Sequence, residues 1–281
     1  MQNKIWILKI ALKIILSRIP MGYRFWSNIG IFLHGKMKTR DYPKMVLELH
    51  FSEFVDFGGH TEGSHVLEIG TGDSVASCLI ANKWGSKVCY TVDAGDYASK
   101  DMNFYQTLSM DLGKILKNGT TFEEMLNGIN GIQLTQGLNS WSAVPRKSID
   151  FVWSHSTLEH IRKREFDATL ANMFEVMKPG ALCSHNIDLK DHLGGALNNL
   201  RFSEKLWEAE WWVRSGFYTN RLRPSEILER FETAGFEMLK VEIANREQMP
   251  MPCRAMAPRF RTLADDDLLA TGMHIVSRRP A

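Results

Sequence analysis

The stretch VLEIGTGDS, Val66 to Ser74, brings carboxylates, glycines and hydroxyls together at close spacing. An apolar run, His65 to Ile69, leads into Gly70-Thr71-Gly72 and then into an apolar helical pattern from Val75 to Trp84. Glycines let a backbone bend sharply and approach a ligand closely, and a helix that follows such a turn presents free N–H groups. The chemistry that suits this turn is the holding of a nucleotide-like cofactor. Its expected contacts are Glu68, Gly70, Thr71, Gly72, Asp73 and Ser74.

Which cofactor is a question of charge and spacing. Val75 stands where a dinucleotide fingerprint would have its third glycine. Glu68, at the carboxyl end of the strand, would repel a pyrophosphate and attract a cationic ligand. The next strand ends in Val92-Asp93, about 20 residues beyond the turn, where a carboxylate can hydrogen-bond ribose hydroxyls. An adenosine-type ligand carrying positive charge fits this set better than a nicotinamide dinucleotide.

A second group of residues could act on a bound acceptor. The run SIDFVWSHSTLEH places Ser154 and His155 at a strand end, and Ser156-Thr157-Leu158-Glu159 has the spacing of a helix capping box. HNIDLKDH supplies His185, Asp188, Asp191 and His192. A histidine with a carboxylate neighbour can take a proton from a hydroxyl near neutral pH. His192, oriented by Asp188 or Asp191, is the expected base, and His155 lies nearer to where donor and acceptor should meet. The alternative for Asp191-His192 is a helix cap. No metal is expected, because the spacing matches no zinc pattern.

The elements that must position these residues alternate. Short β-rich runs occur at His65–Ile69, Lys87–Val92, Ile132–Thr135, Ile149–Ser154, Ala181–Ile187, Phe236–Ile243 and Gly272–Ser277. Helical patterns fit Val75–Trp84, part of Asp101–Leu116, Thr157–Met177 and Pro224–Ala234. Alternation of this kind predicts an α/β fold with a mostly parallel sheet and helices on both faces. Lys178-Pro179-Gly180 has the residues of a type II turn between helix and strand. The segment from about 188 to 223, with Trp207, Trp211 and Trp212 and with Arg214, Arg221 and Arg223, is an insertion after strand five. Such insertions line the crevice at the carboxyl edge of the sheet. This one is expected either to stack on and hold an acceptor or to form a packed lid with solvated arginines.

In order along the chain, VLEIGTGDS, YTVDAG, SIDFVWSHSTLEHI and MFEVMKPGALC resemble the motifs of the class I S-adenosylmethionine-dependent methyltransferases. The resemblance runs from about Ser64 to the C-terminus. It implies a Rossmann-like, seven-stranded sheet, with the Gly70–Gly72 backbone on the methionine end of S-adenosylmethionine and Asp93 on its ribose. A polar residue after the third strand would meet the adenine; here the candidates are Asn139 and Ser140, where the family often has an aspartate. Ser154 is a further expected cofactor contact. NNLRFSE and GFYTNRLRPSE, with the N-terminal helix, resemble methyltransferases of bacterial surface-glycan assembly. That implies O-methylation of a sugar, glycan or related small-molecule hydroxyl. The alternatives are a nicotinamide-dependent reductase and a non-catalytic S-adenosylmethionine-binding partner module.

With 281 residues, 44% of them apolar, the chain can bury a substantial core. Its 34 basic residues nearly cancel its 32 acidic ones, so no nucleic-acid partner is expected. Cys78, Cys89, Cys183 and Cys253 form no C-x-x-C pair and read as reduced thiols of a cytoplasmic protein. Residues 1–60 are expected as a helical extension or lid, with a second short helix around Tyr23, Phe25, Trp26 and Phe32 and a turn at His34–Met37. Residues 61–281 are expected as the cofactor-binding domain. Ile5 to Leu16 is too short to span a membrane, which needs about 20 apolar residues, and no small-x-small cleavage site follows it. Its Trp6, Ile7, Ile10, Ile14 and Ile15, beside a Lys9/Lys13 stripe, would dock on the protein or lie in a membrane interface.

Overall fold

The computed structural model describes residues 5–16, 18, 36–113 and 116–281. Among them, seven strands form one sheet: β1 (His65–Ile69), β2 (Val88–Val92), β3 (Gly131–Leu134), β4 (Ile149–His155), β5 (Met177–Asp188), β6 (Glu237–Asn245) and β7 (Ala270–Arg278). Their order is β3-β2-β1-β4-β5-β7-β6. The first five pair in parallel, and β7 runs antiparallel between β5 and β6. The expected mostly parallel α/β sheet is therefore present, and its one antiparallel strand departs from the order 3-2-1-4-5-6 of dinucleotide folds.

Side chains alternate across a strand, so each strand feeds two cores. Leu67 of β1 and Val152 of β4 join the core on one face, with Phe166, Leu170 and Met173 of α6 (Lys163–Val176) and Ile227 and Phe231 of α9 (Pro224–Thr233). Val66 of β1 and Phe151 and Trp153 of β4 join the other. That second face is covered by α2 (Tyr42–Asp56), α3 (Ala76–Lys83), α4 (Met102–Asp111) and α5 (Phe122–Gly128). The exposed edge strand β6 carries Glu237, Lys240 and Glu242, charges that discourage pairing with another chain.

Three local readings are changed by the structure. The expected helix from Thr157 begins only at Lys163, after a 3-10 turn at Leu158–His160, because Ser156 takes a left-handed φ of +51° and donates its N–H to Asn186 O at 2.8 Å. The capping box at Ser156 and Glu159 therefore does not form. Gly180 has the positive φ of a type II turn, +79°, but Lys178–Gly180 lies inside β5, where the register with β4 shifts. Finally, α2 is packed into the sheet's second core through Val46, Leu47, Phe51 and Phe54.

The insertion holds two short helices, α7 (Glu204–Trp207) and α8 (Glu210–Val213). Trp207, Trp212, Phe217 and Tyr218 are buried together, and the Trp207 indole donates to Thr219 O at 2.7 Å. Helix α1 (Ile5–Leu16) joins this cluster through Ile10, with Trp6 and Ile14 packed against it and Lys13 donating to Gly216 O at 3.2 Å. The segment is thus packed on itself and on α1, and two of its arginines are buried rather than solvated. Arg221 donates to Asn199 O and Phe202 O, and Arg223 to the carbonyls of Leu189, Asp267 and Ala270. The helix expected around Tyr23 to Phe32, His34 and Gly35 of the expected turn and the Lys9 side chain lie outside the described residues.

Phe51 touches Trp84, Phe151 and Trp153 edge-on, with ring centroids 5.2, 5.5 and 5.4 Å away. Phe51→Ala is expected to lower unfolding free energy by about 3–5 kcal/mol in urea titrations. A loss under about 1 kcal/mol would show that α2 is not part of the cooperative core.

Candidate active site

Ligands of open α/β sheets bind at the carboxyl edge where the strand order reverses. In this sheet that point lies between β1 and β4. Their register, Glu68 beside Trp153, carries the chain to Gly70 on one side and His155 on the other. Thr157 bridges the two, its Oγ1 lying 3.5 Å from Gly70 O and 3.3 Å from His155 O. Gly70 has φ +78° and Gly72 φ +61°, and a Cβ on Gly70 would overlap the Thr157 side chain. No larger residue fits at Gly70 without moving Thr157.

Asp93 follows β2 and lies across this turn. Its Oδ2 accepts from the Thr71 hydroxyl at 3.3 Å and from the Gly72 N–H at 3.4 Å, and its Oδ1 from the Ala94 N–H at 2.6 Å. The 3-10 turn Gly137–Ala143 starts against the same loop, with Gly137 N–H donating to Asp93 O at 2.9 Å. On that turn Asn139 is exposed, whereas Ser140 is buried and accepts the Gln136 N–H at 2.8 Å. Gly70, Thr71, Gly72, Asp93 and Asn139 are thereby brought to one end of the crevice.

Other expected contacts turn inward. Glu68 has the parity of Val66, so its side chain points under α3, where its carboxyl accepts from the Ser77 hydroxyl. Burial pushes its pKa up to about 8, and the carboxyl is mainly neutral at pH 7. Ser74 is fully buried and donates to Met37 O at 2.5 Å, tying residues ahead of α2 to the turn. The first N–H groups at α3 are also engaged: Val75 donates to the Tyr105 hydroxyl at 3.2 Å and Ala76 to Ser74 Oγ at 3.4 Å. Asp73 accepts the Ser99 N–H through its carbonyl at 2.7 Å. Ser154 faces the α6 side, 2.7 Å from His185 Nδ1, and both are buried.

On the acceptor side, HNIDLKDH does not converge on one point. His185 is within the sheet, and burial pushes its pKa down to about 3. Asp188 Oδ1 accepts the Lys190 N–H at 3.0 Å, and Asp191 Oδ2 accepts the Asn198 N–H at 2.5 Å. Asp191 thus closes its own loop and does not orient His192. The His192 ring meets His160 edge-on, 5.0 Å between centroids, and His160 Nδ1 lies 2.9 Å from Tyr218 O. Glu159, buried beside Asp188, accepts the Asp188 N–H at 3.3 Å, and burial pushes its pKa up to about 8.

The residues that sequence reasoning missed are on α2 and β7. His50 is fully buried, with Nε2 3.3 Å from His155 Nδ1 and Nδ1 2.8 Å from Ser184 Oγ. His274 Nε2 lies 3.4 Å from the same Ser184 oxygen. A signal existed in strand parity: Phe151, Trp153 and His155 alternate onto one face, and Ser184 and His274 share it.

The Glu68 shift makes stability depend on pH. A carboxyl whose pKa rises from 4.5 to about 8 on folding contributes stability that is fully present below its ordinary pKa and lost as pH rises through about 8. Glu68→Gln, neutral at every pH, is expected to match the native chain in urea unfolding at pH 4 and to exceed it at pH 8. Equal differences at both pH values would contradict a neutral buried Glu68. Glu159 is common to both proteins and cancels.

The family model described as "Methyltransferase domain" matches residues 46–241. No curated protein matches the chain. Among solved structures, it is similar to a putative S-adenosylmethionine-dependent methyltransferase from Listeria monocytogenes, at 11% identity, TM-score 0.45, over 82% of this chain and 96% of that one. It is also similar to phosphoethanolamine N-methyltransferase 2 from Haemonchus contortus in complex with phosphomonomethylethanolamine and S-adenosylhomocysteine. There the identity is 14% and the TM-score 0.47, over 82% of this chain and 52% of that one. With the family matched over most of its length and the cofactor turn and seven-stranded sheet in place, the chain belongs to the methyltransferase-domain family, as an S-adenosylmethionine-dependent methyltransferase.

Proposed function

We propose that the chain methylates a hydroxyl oxygen of a sugar, glycan or related small molecule, close to a membrane surface. The observation that carries this reading is the β1–β4 register, which brings the chain at His155 alongside Gly70, with Thr157 Oγ1 between their two carbonyls. A hydroxyl is a poor nucleophile until its proton is removed, and a neutral imidazole is the side chain suited to removing it near neutral pH. Burial lowers the His155 pKa, keeping the ring neutral and able to accept. His192, with Asp188 and His160, lies toward the lid and supplies polar contacts for a hydroxyl-rich acceptor. Trp207 and Trp212 are spent in the lid core, which leaves Trp211, 45% exposed, as the one of the three open to solvent.

S-adenosylmethionine, when bound, supplies an electrophilic methyl carbon. The chain's own part is positioning, which can provide much of the acceleration of such a displacement. Gly70 and Gly72 supply the positive φ that bends the backbone at the strand end, and the Asp93 carboxylate stands where ribose hydroxyls would be held. Asn139, exposed beyond the Asp93 loop, is the side chain for the adenine. With Glu68 neutral, selectivity for this cofactor rests on the shape of the turn and on Asp93.

The membrane part of the reading rests on α1. Its docked face leaves Ile7, Leu8, Leu12 and Ile15 between 48% and 69% exposed. Arg18 lies beside them, its guanidinium 5.9 Å from the Trp211 ring centre. The first 40 residues contain eight Lys or Arg and no Asp or Glu. Apolar surface flanked by basic groups suits an anionic lipid surface. No helix among the described residues is long and apolar enough to cross a membrane.

Labelled S-adenosylmethionine, incubated with the chain and fractionated bacterial extract, is expected to deliver label to lipid-linked glycan or a sugar metabolite. Asp93→Ala and Gly70→Val should each weaken cofactor binding at least about tenfold, near 1.4 kcal/mol. Label entering only protein or nucleic acid would refute the acceptor class, and binding without any transfer would favour a partner module. In flotation assays the chain should rise with phosphatidylglycerol vesicles and not with phosphatidylcholine vesicles. Leu8→Glu with Leu12→Glu should abolish this; unchanged flotation would exclude α1 as the contact.

A further inference from the structure

The second face of the sheet carries a row of polar side chains. His155 of β4, His50 of α2, Ser184 of β5 and His274 of β7 follow one another at 3.3, 2.8 and 3.4 Å between their polar atoms. The row ends at Glu53, whose Oε1 is 3.6 Å from His274 Nε2 and 2.6 Å from Lys240 Nζ. His50 and Ser184 are fully buried, and His274 is 7% exposed. The rings of His50 and His274 stack at 5.9 Å. Burying this many polar groups is costly unless each has a partner, and an apolar α2 would cover the sheet equally well.

We infer that His50, Ser184 and His274 form a proton path that orients His155 and carries the acceptor's proton from the crevice to Glu53 at the far edge of the sheet. The inference rests on the reading of His155 as the base for a hydroxyl acceptor. With Nδ1 of His155 committed to His50, Nε2 is the nitrogen left to face an acceptor. When the acceptor oxygen exchanges its proton for the methyl group, that O–H bond breaks and an N–H bond forms at Nε2 of His155. Nδ1 of His155 passes its proton to Nε2 of His50, Nδ1 of His50 passes one to Ser184 Oγ, and the Ser184 hydroxyl passes its own to Nε2 of His274. One imidazolium remains, beside Glu53. His50, Ser184 and His274 are positioning residues, since none touches the acceptor.

The surrounding charges suit a single proton on the row. Facing it are Tyr42 and Glu53 from α2, His155 from β4, and Lys240 and Glu242 from β6, with His185 of β5 on the opposite face of the sheet. Lys240 pairs with both Glu53 and Glu242, so two carboxylates meet one ammonium and the far end is net negative. Burial, and then repulsion by the neighbouring rings, holds His50 well below the usual histidine range, which keeps the middle of the row neutral at rest.

Imidazole nitrogen NMR of the full chain tests the path without any acceptor. The native protein should show His155 as the Nδ1–H tautomer, with His155, His50 and His274 sharing one titration midpoint. Glu53→Gln should lower that midpoint by about one pH unit. Ser184→Ala, which keeps the volume, should separate His274 from His155 into two midpoints with thermal stability retained. In methyl-transfer assays the acid limb of the kcat profile should follow the Glu53→Gln shift, with KM for S-adenosylmethionine unchanged. Independent midpoints in the native chain, or a His155 titration indifferent to both substitutions, would overturn the path. If label transfer fails while the midpoints move together, the hydroxyl reading falls and the path stands.

Discussion

The parallel pairing of β1 with β4 is the contact on which the rest of the crevice depends. Val66 beside Phe151, Leu67 beside Val152 and Glu68 beside Trp153 lock two strands that are buried on both faces. Because the side-chain period is two, this register decides more than adjacency. It places Gly70 opposite His155 at the edge and directs Trp153 and His155 toward α2. A one-residue slip would exchange the faces and put Ser154 in the place of His155.

Burial then redistributes charge. Glu68 and Glu159 each reside where an ionised carboxylate would be poorly solvated, and both are pushed up to about 8. Glu68 works as a hydrogen-bonding element beneath α3, and Ser74 and Tyr105 take up the N–H groups at that helix start. The glycine turn is thus held rigid from behind by groups whose residue types would suit ligand contact. The backbone of the turn and the carboxylate of Asp93 are tied together, Gly70 N–H donating to Val92 O and the Thr71 hydroxyl and Gly72 N–H to Asp93.

The lid is built on the same principle. Arg223 is 1% exposed and donates to the carbonyls of Leu189, Asp267 and Ala270, joining the start of α9 to the loop after β5 and to the stretch from α10 (Asp265–Leu269) into β7. Arg221 lies over Trp207 and Phe260, 4.8 and 5.1 Å from their centres, and pairs with Glu204 at 3.1 Å. These guanidiniums satisfy carbonyls of loops and of element ends. They tie the insertion to the loop after β5 and to the chain between α10 and β7.

Much of this was legible in the residues. All seven strands stand where apolar β-rich runs predicted them, since that signal is local and repeats every two positions. The turn at Gly70 and Gly72 needs positive φ, which only glycine adopts freely, so its shape was written in two residue types. Helix α5 likewise carries its start signal in the sequence, the Thr121 and Glu124 capping box. Composition alone could not tell which hydroxyls and charges face a ligand. Whether Glu68 is charged, whether Ser74 and Ser154 are open, and whether Arg221 binds an acceptor or a carbonyl depend on partners distant in the chain. His50 and His155 are 105 residues apart, and His50 and Ser184 are 134 apart. Steric preferences act within a few residues, so sequence alone determined the strands and the turn. Desolvation and hydrogen-bond pairing act through space, so only the tertiary structure decided which side chains form the site and in what state of charge.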